Sequence, residues 1–113
     1  MQPLRGFAPG CGYITPGERA AARRLVRAIT IRSLAIQIRD GAERVLSHPS
    51  SDDALVMRHL GATTEEGLEI YQDGKKVGWF YLVWGNNDDG SEIVCDHAAN
   101  EACDSIFNEA FPD

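Results

Sequence analysis

The sequence predicts an α+β fold: a long N-terminal helix and a short helix, then a three-stranded antiparallel β-meander, then a C-terminal amphipathic helix. Three observations carry this reading. Thr15-Pro16-Gly17-Glu18 spells a helix start. Runs of β-branched and aromatic residues between Leu68 and Cys95 are broken by Asp73-Gly74 and by the Asn86 to Gly90 cluster. From Ala99 to Phe111, apolar residues recur at three- and four-residue spacing.

A chain of 113 residues, 43% hydrophobic and 25% charged, has room for one core and one domain. Residues 1–14 hold Pro3, Gly6, Pro9, Gly10 and Gly12, too many breakers for regular structure, and read as an irregular arm preceding a single domain over residues 15–113. The sequence contains no apolar run near the roughly 20 residues that span a bilayer, and its start does not read as a secretory leader, so a cytoplasmic protein is expected. Cys11, Cys95 and Cys103 are an odd number at no zinc-binding spacing; reduced thiols, no metal and no cofactor are expected.

The first helix starts with Thr15 accepting from the backbone at Glu18 and Glu18 returning the bond, with Pro16 where its missing donor costs nothing. Its apolar stripe, Leu25, Ile29, Ser33 and Ile36, drifts onto Ile38, Ala42 and Leu46. That drift predicts one long helix with a bend at Gly41. Ser51 is the expected cap of a short helix over 52–60, ended by Gly61.

Asp73-Gly74 fits a two-residue hairpin turn that needs positive φ, which sets Ile70 opposite Val77 and Leu68 opposite Trp79. The second strand is apolar on both faces, Val77, Trp79, Tyr81 and Val83 on one and Phe80, Leu82 and Trp84 on the other. A solvated sheet alternates apolar with polar residues. A centre strand of this kind is either covered twice or presents a docking patch. The last helix, capped by Asp96 or Asn100, packs Cys103, Ile106, Phe107, Ala110 and Phe111 on one face of the sheet.

Charge is distributed unevenly. Residues 1–44 hold eight arginines against three acids, whereas residues 45–113 hold three basic residues against fourteen acids, for a net charge of −6. Arg19, Arg23 and Arg27 form a helical row that would suit phosphates, the nucleic-acid alternative. A pI near 4.9 and the absence of a recognisable nucleic-acid motif argue against it.

Cys95-Asp96-His97 with Cys103 is the densest set of reactive types and defines a second alternative, a small Cys/His-centred enzyme or metal protein. It lacks the paired ligand spacing of structural zinc and a positioned base for a thiol nucleophile. The Asn86 to Gly90 cluster lacks the alternating ligands of a calcium loop and reads as a turn.

The remaining pattern is aromatic anchors among carboxylates, with Trp79, Tyr81 and Trp84 beside Asp88, Asp89 and Glu92. Interfaces favour that composition. The expected function is therefore a non-enzymatic, acidic protein-interaction module with no catalytic residue. Its expected partner is a protein with a basic surface, for instance a nucleic-acid-handling protein engaged by a phage or mobile-element inhibitor of anti-CRISPR type; a homodimer is also compatible, and no membrane is expected.

Overall fold

The computed structural model describes residues 14–85 and 89–112. The expected N-terminal arm, apart from Ile14, and Cys11, Asn86, Asn87 and Asp88 lie outside the described residues. The described chain is a mixed fold of three helices and one antiparallel sheet, in the order α1 (Pro16–Thr30), β1 (Ala35–Asp40), β2 (Glu43–Arg44), α2 (Asp53–His59), β3 (Glu65–Gln72), β4 (Lys75–Val83), β5 (Val94–His97) and α3 (Glu101–Ala110). Spatially the strands run β2-β1-β3-β4-β5.

Helix α1 begins as its sequence dictates. The Thr15 hydroxyl accepts from the Glu18 amide at 3.1 Å and the Thr15 amide donates to Glu18 Oε1 at 3.1 Å. Glu18 is fully buried, and its second oxygen accepts from the Gly85 amide at 2.7 Å, so one carboxylate both caps α1 and ties down the end of β4. Gly90 reinforces that junction. At φ +80° its α-carbon lies so close to α1 that an added Cβ would stand 2.6 Å from the Gly17 carbonyl oxygen.

The expected long N-terminal helix is corrected here: α1 ends at Thr30, and Ser33 at φ 63° turns the chain into a β-hairpin. Leu34, Ile36 and Ile38 are buried in the core and alternate in sequence with Ala35, Gln37 and Arg39, of which Gln37 is also buried, a period of two that the helical drift had masked. The bend expected at Gly41 is the hairpin turn, with φ 63°. The expected three strands are accordingly five.

The Asp73-Gly74 turn has positive φ at both residues, 52° and 81°, and pairs Gln72 with Lys75 and Tyr71 with Lys76. Beyond it the ladder slips by one residue: Ile70 pairs with Gly78 and Leu68 with Phe80, not with Val77 and Trp79. Val77 is the extra residue of a β-bulge. The slip puts Leu68 and Ile70 on the same face as Phe80 and Leu82, all at 1% exposure or less, and turns Glu69 toward Trp79.

All three helices lie on that apolar face. α1 packs between α2 and α3, with α2 against β1 and α3 against β4. Asp52, rather than Ser51, caps α2, accepting from the Ala54 and Leu55 amides at 3.0 and 3.3 Å. Asn100 caps α3 by accepting from the Cys103 amide at 2.8 Å. Cys103 then fits directly over Gly78, where an added Cβ would collide with its sulfur. Burial of Ile36, Leu68, Phe80, Leu82, Ile93 and Ile106 against Leu25 and Ile29 fills the core.

Candidate functional site

The second face of the sheet carries no helix among the described residues. The register fixes what it presents. One row crosses all five strands: Arg44 pairs with Arg39, Arg39 with Gly67, Gly67 with Tyr81 and Tyr81 with Asp96. The adjacent row is Gln37, Glu69 and Trp79, and the next Ala35, Tyr71 and Lys76. Because successive residues of a strand point to opposite faces, all these side chains share the helix-free side.

Glu69 is the polar centre of this face. It is only 7% exposed, yet three cations converge on it: Lys76 Nζ at 3.2 Å, Arg39 at 3.5 Å and Arg44 at 3.8 Å, with the Tyr71 hydroxyl donating at 3.2 Å. The four charged groups sum to a formal +2. Gln37 beside them is stapled at the sheet edge, its amide donating to the Leu46 carbonyl at 2.9 Å and accepting from the Leu46 amide at 2.8 Å.

On the β5 side the sign reverses. Tyr81 donates its hydroxyl to Glu65, and Asp96 is exposed beside it. The bond to Glu65, followed by desolvation and the nearby Glu65 and Cys95 charges, raises the Tyr81 phenol above its ordinary pKa. Between the two ends, Gly67 leaves a shallow hollow of about 330 Å³, walled by Arg39, Glu69, Lys76, Trp79, Tyr81 and Asp96.

Of the residues expected to meet a partner, Trp79 and Tyr81 lie on this face, both partly exposed. Trp84 does not. It is 4% exposed on the helical side, and its indole N–H donates to Glu66 Oε1 at 2.8 Å, the same oxygen that accepts from the Gly61 amide at 2.7 Å. Continued alternation along β4 puts Trp84 with Phe80 and Leu82, and the buried Glu66 satisfies its one donor.

Asp89 and Glu92 are exposed, and the connection that carries them folds against α1 through Gly90. The Ser91 amide, donating to Asp89 at 2.8 Å, holds that carboxyl below its usual range, with a further contribution from the Ser91 side chain. The carboxylates flanking Tyr81 are instead Glu65 and Asp96. Asp88 lies outside the described residues.

The reactive cluster disperses. Cys95 is exposed and Cys103 buried beneath the sheet; burial, the largest influence, raises the pKa of the Cys103 thiol. His97 stacks between Phe80 and Phe107 with ring centroids 5.3 and 5.1 Å away, and its Nδ1 lies 2.9 Å from the Ala98 carbonyl oxygen. Among the described residues no three His, Cys, Asp or Glu side chains converge on a site for a metal ion.

Some of the arginines in and just after α1 have partners within the fold. Arg27 faces Asp53 at 3.8 Å, Arg24 donates to the Ala110 carbonyl at 3.1 Å and lies over the Phe111 ring, and Arg32 pairs with Glu109 at 3.0 Å. Arg19 is partly exposed and Arg23 exposed, and burial together with the neighbouring Arg23 charge lowers the Arg19 pKa. No described helix is long and apolar enough to cross a membrane.

The residues of this face that the sequence did not bring together with Trp79 and Tyr81 are Arg39, Arg44, Gly67 and Lys76, with Glu69 at their centre. Arg39 and Arg44 were hidden by the helical reading of residues 31–46, and Glu69 by the bulge at Val77. The alternation from Leu34 to Arg39 was the available signal for the first pair. Comparison of the chain with protein-family models, with characterised proteins and with solved structures finds no match, so the sheet face that bears no helix among the described residues stands as the guide to function.

Proposed function

We propose that this chain is a non-enzymatic protein-interaction module, an inhibitor or adaptor, that docks through its helix-free sheet face onto a protein with a basic surface. The observation that supports this reading is the side-by-side placement of Trp79 and Tyr81 on a sheet face without helices among the described residues, bounded on the β5 side by Glu65 and Asp96. Aromatic anchors in a shallow hollow with carboxylates at the margin match the anatomy of a protein interface, a desolvated centre and a polar rim. Basic groups on the partner would meet Glu65 and Asp96. The Arg39, Arg44 and Lys76 end requires an acidic group at the opposite margin of the same partner.

The test is capture of a partner from extract of the native host by the wild-type chain and by Tyr81→Ala and Asp96→Lys variants at low and moderate salt. The reading predicts a partner protein lost from both variants, with the Asp96→Lys effect larger at low salt. Capture unchanged by either substitution contradicts it.

A further inference from the structure

We propose that the hollow over Gly67 binds a free nucleoside monophosphate whose base carries an amino group, with the phosphate on the Arg39, Arg44 and Lys76 side and the base between Trp79 and Tyr81. This goes beyond the docking reading, because it puts a small ligand at the centre of that face. Three features of the face, in order from β1 to β5, meet the three parts of such a ligand.

The first is a fixed positive centre. Glu69 gathers Lys76, Arg39 and Arg44 at 3.2, 3.5 and 3.8 Å. Glu69 is buried, whereas Arg39 is half-buried and Lys76 and Arg44 are exposed. The carboxylate therefore lies beneath the cations it holds, and the charge turned to solvent is positive. The formal excess of +2 is what a phosphate dianion neutralises. Because one buried group already gathers all three cations, an arriving anion has little order to impose on them.

The second is a slot for a flat ring. Side chains stand roughly perpendicular to a sheet, and Trp79 and Tyr81 are two residues apart on β4, roughly 6.7 Å, a spacing that admits one ring stacked between two others. Gly67, paired with Tyr81, brings no side chain to the floor of the hollow, whose volume of about 330 Å³ is at the lower end of those that hold small ligands.

The third is an acceptor at the far margin. Asp96 lines the hollow and is exposed, with Oδ1 accepting from the His97 amide at 2.9 Å. A carboxylate there accepts from the amino group of adenine, cytosine or guanine and offers no donor to the carbonyl that uracil presents instead. From β1 to β5 is three strand spacings, about 14 Å, the reach of one nucleotide. A strand of nucleotides is disfavoured by the net charge of −6, and the two-residue β2 and four-residue β5 leave the face short on both sides.

The test is a set of titrations of the isolated chain, followed by the nuclear magnetic resonance signal of the Trp79 indole, with each ligand taken to about 5 mM. Adenosine 5′-monophosphate is expected to bind with a Kd of order 100 µM, as an open hollow implies. Adenosine and inorganic phosphate are each expected to bind at least tenfold more weakly, and uridine 5′-monophosphate at least threefold more weakly. Lys76→Ala is expected to lower affinity for adenosine 5′-monophosphate at least fivefold and leave adenosine unchanged, and Asp96→Asn to erase the preference over uridine 5′-monophosphate. Gly67→Val fills the floor. Its Cβ meets Arg39 Cβ at 3.5 Å and the Phe80 carbonyl oxygen at 3.9 Å, ordinary contacts, so the variant is expected to fold, by circular dichroism, and to lose binding.

No shift of the Trp79 signal with adenosine 5′-monophosphate, or binding unchanged in both Lys76→Ala and a folded Gly67→Val, would overturn the proposal. Inorganic phosphate binding as tightly as the nucleotide would mean an adventitious ion only, and hexa-adenylate binding more than tenfold tighter would mean a site for single strands; either result overturns it as well. Should Gly67→Val fail to fold, Lys76→Ala, at an exposed position, decides alone. No partner protein is present in these titrations, so their failure and failure of the capture test are separately visible.

Discussion

Replacing Glu69 with alanine removes the one carboxylate that three cations share. The size of the effect follows from exposure. Glu69 is 7% exposed, so its bond from the Tyr71 hydroxyl at 3.2 Å counts as a buried hydrogen bond to a charged acceptor, about 1.5 kcal/mol. Arg39, with its side chain 32% exposed and 3.5 Å away, contributes about 1 kcal/mol. Lys76 and Arg44 are 45% and 61% exposed, where solvent screening leaves about 0.5 kcal/mol for the pair of them together.

Loss of the carboxylate also removes its own desolvation cost, which offsets about 1 kcal/mol, but leaves three cations crowded, which costs a similar amount at low salt. The expected net destabilisation is about 3 kcal/mol, read as a lower urea midpoint at unchanged m-value. Glu69→Gln, which keeps the acceptor for Tyr71, is expected to lose about half as much. Raising sodium chloride to about 1 M should narrow the gap between Glu69→Ala and wild type, because salt screens attraction in one and repulsion in the other. A Glu69→Ala variant within about 0.5 kcal/mol of wild type would mean that the converging charges do not hold this face together.

Other outcomes follow from the same contacts. Gly78→Ala puts a methyl group into the Cys103 sulfur and should cost about 2 kcal/mol, whereas Gly78→Ala combined with Cys103→Ala should cost less than the sum of the single changes, measured as a double-mutant cycle. Gly90→Ala meets α1 backbone at positive φ and should cost more than about 2 kcal/mol, against about 1 kcal/mol for Gly41→Ala, where φ is also positive but nothing lies within 4 Å; thermal melts rank the two. Tyr81 has a raised folded pKa, so its contribution to stability is complete below the ordinary tyrosine pKa and lost as pH rises through the folded value. Its phenolate absorbance should appear at higher pH than that of a free tyrosine and move down in Glu65→Gln. Cys95 should react with a thiol reagent within minutes and Cys103 only on unfolding, separable by peptide mass.

The local signals in this chain were legible because each satisfies its own backbone. Thr15 and Glu18 exchange bonds within one turn, Asp73-Gly74 supplies positive φ by itself, and Asn100 caps the helix it precedes. Residues 31–46 were not legible because Ile29, Ser33 and Ile36 satisfy a helical stripe as well as Leu34, Ile36 and Ile38 satisfy a strand. What decides between them is long-range: β1 is held between the hairpin strand β2 and β3, and Ser50 exchanges backbone bonds with Ile36 at 2.8 and 2.9 Å.

The candidate surface suffered for the same reason. Trp79 and Tyr81 were readable from β4 alone, but the bulge at Val77 decides which β3 residues join them, and no residue type announces it. Glu66 and Glu69 read as open, edge-protecting acids in the sequence, and Glu18 only as a helix cap. Their partners, the Gly85 amide, the Trp84 indole and the Arg39, Arg44 and Lys76 cluster, become visible only once the chain is folded.

The proposed docking through the helix-free sheet face is probed at single-residue resolution by nuclear magnetic resonance of the backbone amides and the Trp79 indole as the captured partner is titrated in. If the partner docks there, signals of Arg39, Gly67, Trp79, Tyr81 and Asp96 shift while those of α1 and α3 stay fixed. Shifts confined to the helical layer, or none at any residue, would rule it out.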